Sequence, residues 1–255
     1  MNNIDIESRI SESRAFIDSC ELGSCKHTAL MRDDEKSAQA LVINDTIVSL
    51  VAGMSAANKA VVKDCMLFAS LNADKTFPEG GVQWFNQYKT VMAYCGWTSQ
   101  SAELSDYKSA NSRFTMEQEG LKILSSAITA MALPGPTSLL LLKVAKDAVE
   151  VLQSSEKPLR LFENSSKTAK GAKFVIGSAV ESQDNELAMA LGAMDFATSI
   201  NVTNVLFWEW NSASVSIKRA ENHLILNQRH FEGIAETLRE KLTENARKAV
   251  LEFDI

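Results

Sequence analysis

The sequence has few of the residues that build common catalytic and metal-binding motifs. Only three histidines and four cysteines occur among its 255 residues. Cys20, Cys25 and His27 lie close together, but no second pair at zinc-like spacing completes a tetrahedral ligand set. Neither a phosphate-binding glycine loop nor a nucleophile-elbow motif is present. We therefore expect no metal, no cofactor and no enzymatic activity.

The sequence has fewer basic residues than acidic ones. Lysine and arginine number 26 against 32 aspartate and glutamate, which gives a net charge of −6. A protein that binds nucleic acid needs a basic face to displace phosphate counterions, so we expect no nucleic-acid partner. Tight electrostatic docking onto anionic lipid is disfavoured for the same reason, and any membrane contact would be apolar or guided by a receptor.

The N-terminal segment, MNNIDIESRISESRAF, lacks a basic stretch followed by an apolar one. We therefore predict synthesis in the cytoplasm without a Sec-type signal peptide. In that compartment the cysteines are expected to be reduced and mostly buried. A bridge between Cys20 and Cys25, which are close in sequence, stays open as the alternative.

Residues 1–156 show the periodicity of α-helices and are predicted to form an elongated helical bundle. Apolar residues between Glu35 and Ala73 recur about every 3.6 residues, which predicts one long helix. Further helices are expected over Val82–Cys95, Ser105–Met131 and Thr137–Gln153.

Residues 157–255 are predicted to form a small antiparallel β part that carries a C-terminal helix. Short runs rich in β-branched and aromatic residues alternate there with Asn, Ser and Gly turns. Strands are expected over Leu159–Glu163, Lys173–Val180, Glu186–Ala197, Asn204–Trp210, Ala213–Arg219, His223–Asn227 and Ala249–Phe253, and a helix over Phe231–Leu242. The expected fold class is α+β in two unequal domains, 1–156 and 157–255.

The most unusual stretch is Ile123–Leu142, ILSSAITAMALPGPTSLLLL, which contains 20 residues and no charged side chain. Its length is about that of a membrane-spanning helix, but the turn Pro134, Gly135 and Pro136 divides it into the two arms of a helical hairpin. The hairpin either packs inside the helical bundle or inserts into a membrane after a conformational change. The residues expected to insert are Ile123, Leu124, Ile128, Met131, Leu133, Leu139, Leu140, Leu141 and Leu142.

Trp208 and Trp210 lie two residues apart and would share one face of a strand. Tryptophan on an exposed face suits a membrane–water interface or a binding groove, so these two residues are candidates for contact with a membrane or a receptor. The alternative is that this face packs against the helical part.

Long amphipathic helices, the uncharged hairpin at Ile123–Leu142 and a small tryptophan-containing β part resemble bacterial α-pore-forming and insecticidal toxins. The resemblance covers the architecture of most of the chain. It implies a pore-forming-like toxin that leaves the producing cell, inserts the hairpin into a target-cell membrane and forms homo-oligomers. Its partners would be the target membrane or a membrane receptor.

Two other functions are compatible with the sequence. The chain could be a non-enzymatic structural or interaction protein that oligomerises through its long helices. It could also be an enzyme of an unfamiliar kind, with its site between the two parts.

Overall fold

The computed structural model describes residues 3–23, 37–101, 103–182, 184–245 and 250–254. Its helices are α1 (Asn3–Ser19), α2 (Ala56–Thr76), α3 (Gly81–Tyr94), α4 (Met116–Ala130), α5 (Gly135–Ser154), α6 (Glu156–Ser166) and α7 (Gln228–Asn245). Its strands are β1 (Gln39–Ile43), β2 (Thr46–Leu50), β3 (Trp97–Ser101), β4 (Ser105–Tyr107), β5 (Arg113–Thr115), β6 (Lys167–Thr168), β7 (Gly171–Glu181), β8 (Leu187–Thr198), β9 (Glu209–Asn211), β10 (Val215–Leu226) and β11 (Val250–Asp254).

One mixed sheet of nine strands organises the molecule. Its order is β11-β1-β2-β7-β8-β10-β3, with β4 beside β10 and β6 beside β7. β2 and β7 run parallel, whereas the other neighbours run antiparallel. β5 and β9 form a separate two-stranded sheet. The main sheet thus takes strands from both sides of residue 156, where the sequence predicted a domain boundary.

Helices cover both faces of the main sheet. One face packs against α1, α2, α3 and α7, and it includes Val175 and Ala179 of β7. The other face packs against α4, α5 and α6, and it includes Phe174 and Ile176 of the same strand. Because successive side chains of a strand point to opposite faces, a central strand buried on both sides is mostly apolar, and β7 departs from this at Lys173 and Ser178.

The predicted elongated N-terminal bundle and small antiparallel β part are therefore wrong. The region predicted as one long helix, Glu35–Ala73, contains β1, β2 and α2 in its described part. All residues of β1 and β2 are buried, so their apolar run lacks the alternation that marks a half-exposed strand. Asn44 forms the turn between them with a φ of 56°, a conformation that asparagine tolerates well.

Three further elements differ from the prediction. The segment predicted as a strand at Leu159–Glu163 lies in the helix α6, which buries Leu161 and Phe162. The helix expected from Ser105 begins only at Met116, after the short strands β4 and β5. Thr115 sets that start through a capping box with Gln118. Of the strand expected over Asn204–Trp210, only its last two residues are in a strand, β9.

The remaining predicted elements are confirmed. They are the helices over Val82–Cys95, Thr137–Gln153 and Phe231–Leu242, the strands over Lys173–Val180 and Glu186–Ala197, and the described part of the strand over Ala249–Phe253. The two strands expected over Ala213–Arg219 and His223–Asn227 are parts of one strand, β10.

The helix α4 lies unusually close to β8, and Gly192 makes this approach possible. A Cβ atom added to Gly192 would lie 2.9 Å from the backbone nitrogen of Leu124 and 3.3 Å from the carbonyl oxygen of Gly120. Both neighbours are backbone atoms, which cannot move aside as a flexible side chain can. The distance between α4 and the sheet is therefore set by the absence of a side chain at Gly192.

We expect Gly192→Ala to lower the free energy of unfolding by about 1–3 kcal/mol, because the added methyl overpacks the contact with α4. Gly135→Ala is the matched control, since a Cβ atom there would meet nothing within 4 Å. Urea unfolding of both variants measures the difference. Equal stability of the two variants would contradict this account of the α4 contact.

Candidate functional site

The uncharged stretch Ile123–Leu142 forms a helical hairpin, with α4 and α5 as its arms. The inner sides of both arms belong to the core. Ile123 and Leu124 are fully buried, Ile128 is 3% exposed and Leu141 is fully buried. The inner sides of the arms therefore lie against the sheet, whereas their outer sides, including Ser126 and Lys143, face solvent together with the end of the hairpin.

The α4 arm is held at its start by polar contacts. The backbone nitrogen of Glu117 donates to the carbonyl oxygen of Leu206 at 3.1 Å. Glu119 is buried and accepts hydrogen bonds from the hydroxyl of Tyr107 and, at 2.7 Å, from Lys122 Nζ. Burial opposes ionisation of Glu119, but these hydrogen bonds outweigh it and lower the pKa of its carboxyl group.

The α5 arm is tied to the sheet near its start. Ser178 Oγ on β7 donates to the carbonyl oxygen of Leu141 at 3.1 Å. Ser49 Oγ on β2 in turn donates to Ser178 Oγ at 2.8 Å. These buried hydrogen bonds fix the position of α5 directly below its exposed first turn.

The tip of the hairpin, residues 131–140, is apolar and faces solvent. Leu139 is 72% exposed and Leu140 is 42% exposed, and they are the first leucines of α5. Pro134, Gly135 and Pro136 are exposed beside them, whereas Met131, Leu133 and Leu142 are half-buried against the core. The structure therefore brings the predicted turn and two of the predicted insertion residues together on one exposed surface.

Backbone hydrogen bonds at the tip are largely satisfied within the hairpin. The nitrogens of Met131 and Ala132 donate to the carbonyl oxygens of Ile128 and Thr129. The nitrogens of Thr137 and Ser138 both donate to the carbonyl oxygen of Pro134, and prolines have no N–H group. A helix start normally leaves several donors without partners, and here two of the donors at the start of α5 are satisfied.

Trp208 and Trp210 have different environments. Trp210 is 2% exposed and packs edge-to-face against Phe196 at a centroid distance of 5.3 Å, so it belongs to the core. Trp208 is 49% exposed and lies with the exposed Ile200 on the wall of a shallow depression. The face shared by the two tryptophans in the predicted strand does not exist here, because the strand starts only at Glu209.

The Trp208 surface lies far from the hairpin tip. α4 starts beside Leu206, through the Glu117 hydrogen bond, and ends at the tip. Its 15 residues correspond to about 22 Å at the helical rise of ~1.5 Å per residue. The two exposed apolar surfaces are therefore found at opposite ends of α4.

The other candidate residues stay apart or cannot be placed. Cys25 and His27 lie outside the described residues, and Cys20, Cys65 and Cys95 are buried. Within the described ranges, no group of three or more His, Cys, Asp or Glu side chains is placed to hold a metal ion. The predicted Cys20–Cys25 alternative therefore stays a prediction.

The sequence did not predict a contact between one side chain of α1 and one of α7. Ser13 Oγ on α1 and His230 Nε2 on α7 are 2.8 Å apart and buried. Burial, together with the positive charge of Arg9, lowers the pKa of His230. The two residues are 217 positions apart, so no local pattern could have indicated their contact.

Among the described helices, none is both long enough and apolar enough to cross a membrane.

The leucines of α5 provide a direct test of this geometry. We expect Leu141→Ala to lower the free energy of unfolding by about 2–5 kcal/mol, because it leaves a cavity in the core. Leu139→Ala should change it by less than about 0.5 kcal/mol, because that side chain is exposed. Thermal or urea unfolding measures both. Similar losses in the two variants would show that the tip is not exposed as described.

Comparison with known proteins does not assign this chain to a family. No family model matches the sequence, and no curated protein matches it. Among the solved structures with a weak likeness to this chain are two at 10% sequence identity each. One is described as a delta-endotoxin, with a TM-score of 0.38 over 79% of this chain and 86% of that one. The other is described as the Evf virulence factor, with a TM-score of 0.40 over 93% of both chains. Scores this low establish neither a shared fold nor a shared function.

Proposed function

We propose that this protein acts on membranes and that the tip of the α4–α5 hairpin is the part that enters the lipid. The observation that carries the proposal is the exposure of two adjacent leucines, Leu139 and Leu140, within a stretch that has no charge for 20 residues. Isolated exposed leucines are common in soluble proteins, but an exposed apolar cluster on a protruding turn is typical of an interaction surface.

The tip can enter an apolar phase without a large polar penalty. Moving an unpaired charge or backbone N–H into hydrocarbon costs several kcal/mol, and such groups normally prevent insertion. In sequence, the nearest charged residues are Lys122 on α4 and Lys143 on α5, and both lie outside residues 131–140. The hydrogen bonds to the Pro134 carbonyl oxygen already satisfy two donors in the first turn of α5. The apolar burial gained by Leu139 and Leu140 would therefore be opposed by fewer unpaired donors than a free helix start presents.

Insertion in this conformation would be shallow. The inner sides of both arms, including Leu124 and Leu141, are buried against the sheet. Deeper insertion of the whole hairpin would require α4 and α5 to leave the sheet and expose that core. The wider proposal is a membrane-permeabilising toxin, in which contact by the tip is the first step and several copies of the chain then assemble on the target membrane.

Vesicle binding tests the contact. We expect wild-type protein to float with phospholipid vesicles, and Leu139→Ser/Leu140→Ser to bind at least about tenfold more weakly. Full burial of one leucine contributes roughly 1.5–3 kcal/mol, so loss of two partly inserted leucines should exceed one factor of ten. Because both side chains are exposed, the variant should keep the unfolding transition of the wild type.

Trp208→Ser is the matched control, since it removes an exposed apolar side chain at the other end of α4. It should bind vesicles as the wild type does. If Trp208→Ser abolishes binding and the double variant does not, the membrane contact lies at the Trp208 surface and the proposal is wrong. Dye leakage from the same vesicles tests permeabilisation separately, because binding without leakage would limit the function to membrane attachment.

A further inference from the structure

A buried lysine lies at the centre of a cluster of polar side chains. This cluster is on the opposite face of the main sheet from the α4–α5 hairpin. Lys173 on β7 is 3% exposed. Its Nζ atom donates to Asp45 Oδ2 and, at 2.6 Å, to Asp74 Oδ1. It also lies 4.3 Å from the centre of the Trp84 ring. A buried ammonium group needs such partners, because its removal from water is costly.

A third carboxylate, Asp195, is next to this lysine. Asp195 on β8 is the cross-strand partner of Lys173 and accepts a hydrogen bond of 2.8 Å from the backbone nitrogen of Gly81. A Cβ atom at Gly80 would lie 2.8 Å from Asp195 Oδ2 and 3.0 Å from Lys173 Cδ. The loop between α2 and α3 therefore closes directly over this pair of side chains.

The cluster connects the α2–α3 hairpin to the sheet. Asp74 lies near the end of α2, and Trp84 lies in the first turn of α3. Asp45 is in the turn between β1 and β2, and it also accepts from Ser70 Oγ on α2 at 3.1 Å. Trp84 Nε1 donates to Asp74 Oδ1 at 2.8 Å. The two helices, the turn between β1 and β2, and the strands β7 and β8 thus meet at one group of charged side chains.

Three carboxylates surround one ammonium group, so the cluster carries surplus negative charge when all are ionised. Burial raises the pKa of Asp45 to about 6, although Lys173 opposes this shift. Burial also raises the pKa of Asp195. Burial favours the neutral form of Lys173, but Asp45 and Asp74 outweigh it and raise the pKa of the ammonium group. The lysine stays charged, while Asp45 and Asp195 bind a proton at a higher pH than an ordinary aspartate does.

We propose that this cluster is a proton-operated lock that holds the α2–α3 hairpin against the sheet when a carboxylate is protonated and loosens it when that proton leaves. The lock is independent of any membrane contact by the α4–α5 tip. The titratable groups that face it are Asp45, Asp74 on α2, Tyr88 on α3, Lys173, Asp195 and Lys218 on β10.

The sign of the effect follows from the raised pKa of Asp45. In the open hairpin, Asp45 would return towards its ordinary pKa of 3.8, whereas in the closed form the value is about 6. The closed form therefore binds the proton more tightly. The proton therefore stabilises the closed form fully below pH 3.8, and this stabilisation is lost as the pH rises through about 6. Between pH 5 and pH 7 the opening equilibrium should increase about tenfold.

Hydrogen exchange on the full chain tests the lock. We expect amide exchange in α2 and α3, corrected for the intrinsic rate at each pH, to be about tenfold faster at pH 7 than at pH 5. Exchange in α5 should change much less. Asp45→Asn imitates the protonated side chain and should remove the pH dependence in α2 and α3. Asp147→Asn, which changes a carboxylate on the outer side of α5, should preserve it.

Two results would overturn the proposal. One is corrected exchange in α2 and α3 of the wild type that does not change between pH 5 and pH 7. The other is a pH dependence that persists unchanged in Asp45→Asn. If Asp45→Asn does not fold, Asp74→Asn takes its place, because the charge of Asp74 helps to raise the pKa of Asp45. A wild-type pH dependence that Asp74→Asn fails to reduce would count against the lock equally.

Discussion

The close contact between α4 and β8 at Gly192 determines how the hairpin is presented. A side chain at that position would meet the backbone of α4, so the helix can lie this close only because glycine is there. With α4 in place, Ile123, Leu124 and Ile128 fill the core on that face of the sheet. The start of α5 is then fixed by the hydrogen bond from Ser178. The turn of the hairpin and the first residues of α5, including Leu139 and Leu140, are exposed to solvent beyond this packing.

This packing reconciles the two interpretations of the uncharged stretch. The arms are core, as a short apolar run in a soluble protein usually is. The tip is exposed, as a membrane-contacting turn would have to be. The two roles are divided along the hairpin at about Leu141, which is fully buried one residue after the exposed Leu140. A sheet covered on both faces supports this division, because it holds the inner sides of the arms while the tip stays exposed.

Helices and strands whose apolar residues recur at a regular spacing could be predicted from the sequence. The helices α3, α5 and α7 follow from their periodicity, and β8 follows from the alternation around Leu187, Met189 and Leu191. The strands β1 and β2 could not be distinguished from helix, because both of their faces are buried and their apolar run has no clear period. The pairing of β2 with β7 joins residues about 130 positions apart, and no local signal indicates it.

The candidate site was partly accessible to sequence reasoning. The turn at Pro134–Pro136 and the apolar leucines were identifiable from composition, but which leucines face solvent depends on the sheet beneath them. Trp210 was predicted to share a surface with Trp208 and is instead buried against Phe196. The Lys173 cluster was missed entirely, because Asp45, Asp74 and Asp195 come from distant segments and only the tertiary fold brings them together.

The most direct test of the account is the local polarity around residue 139 in the presence of vesicles. A polarity-sensitive fluorophore would be attached to Leu139→Cys in a Cys25→Ser background, and to Ser126→Cys, on the exposed side of α4, as the reference. The account predicts a blue shift at position 139 on addition of vesicles and none at position 126. No shift at position 139, or equal shifts at both positions, would contradict shallow insertion by the tip.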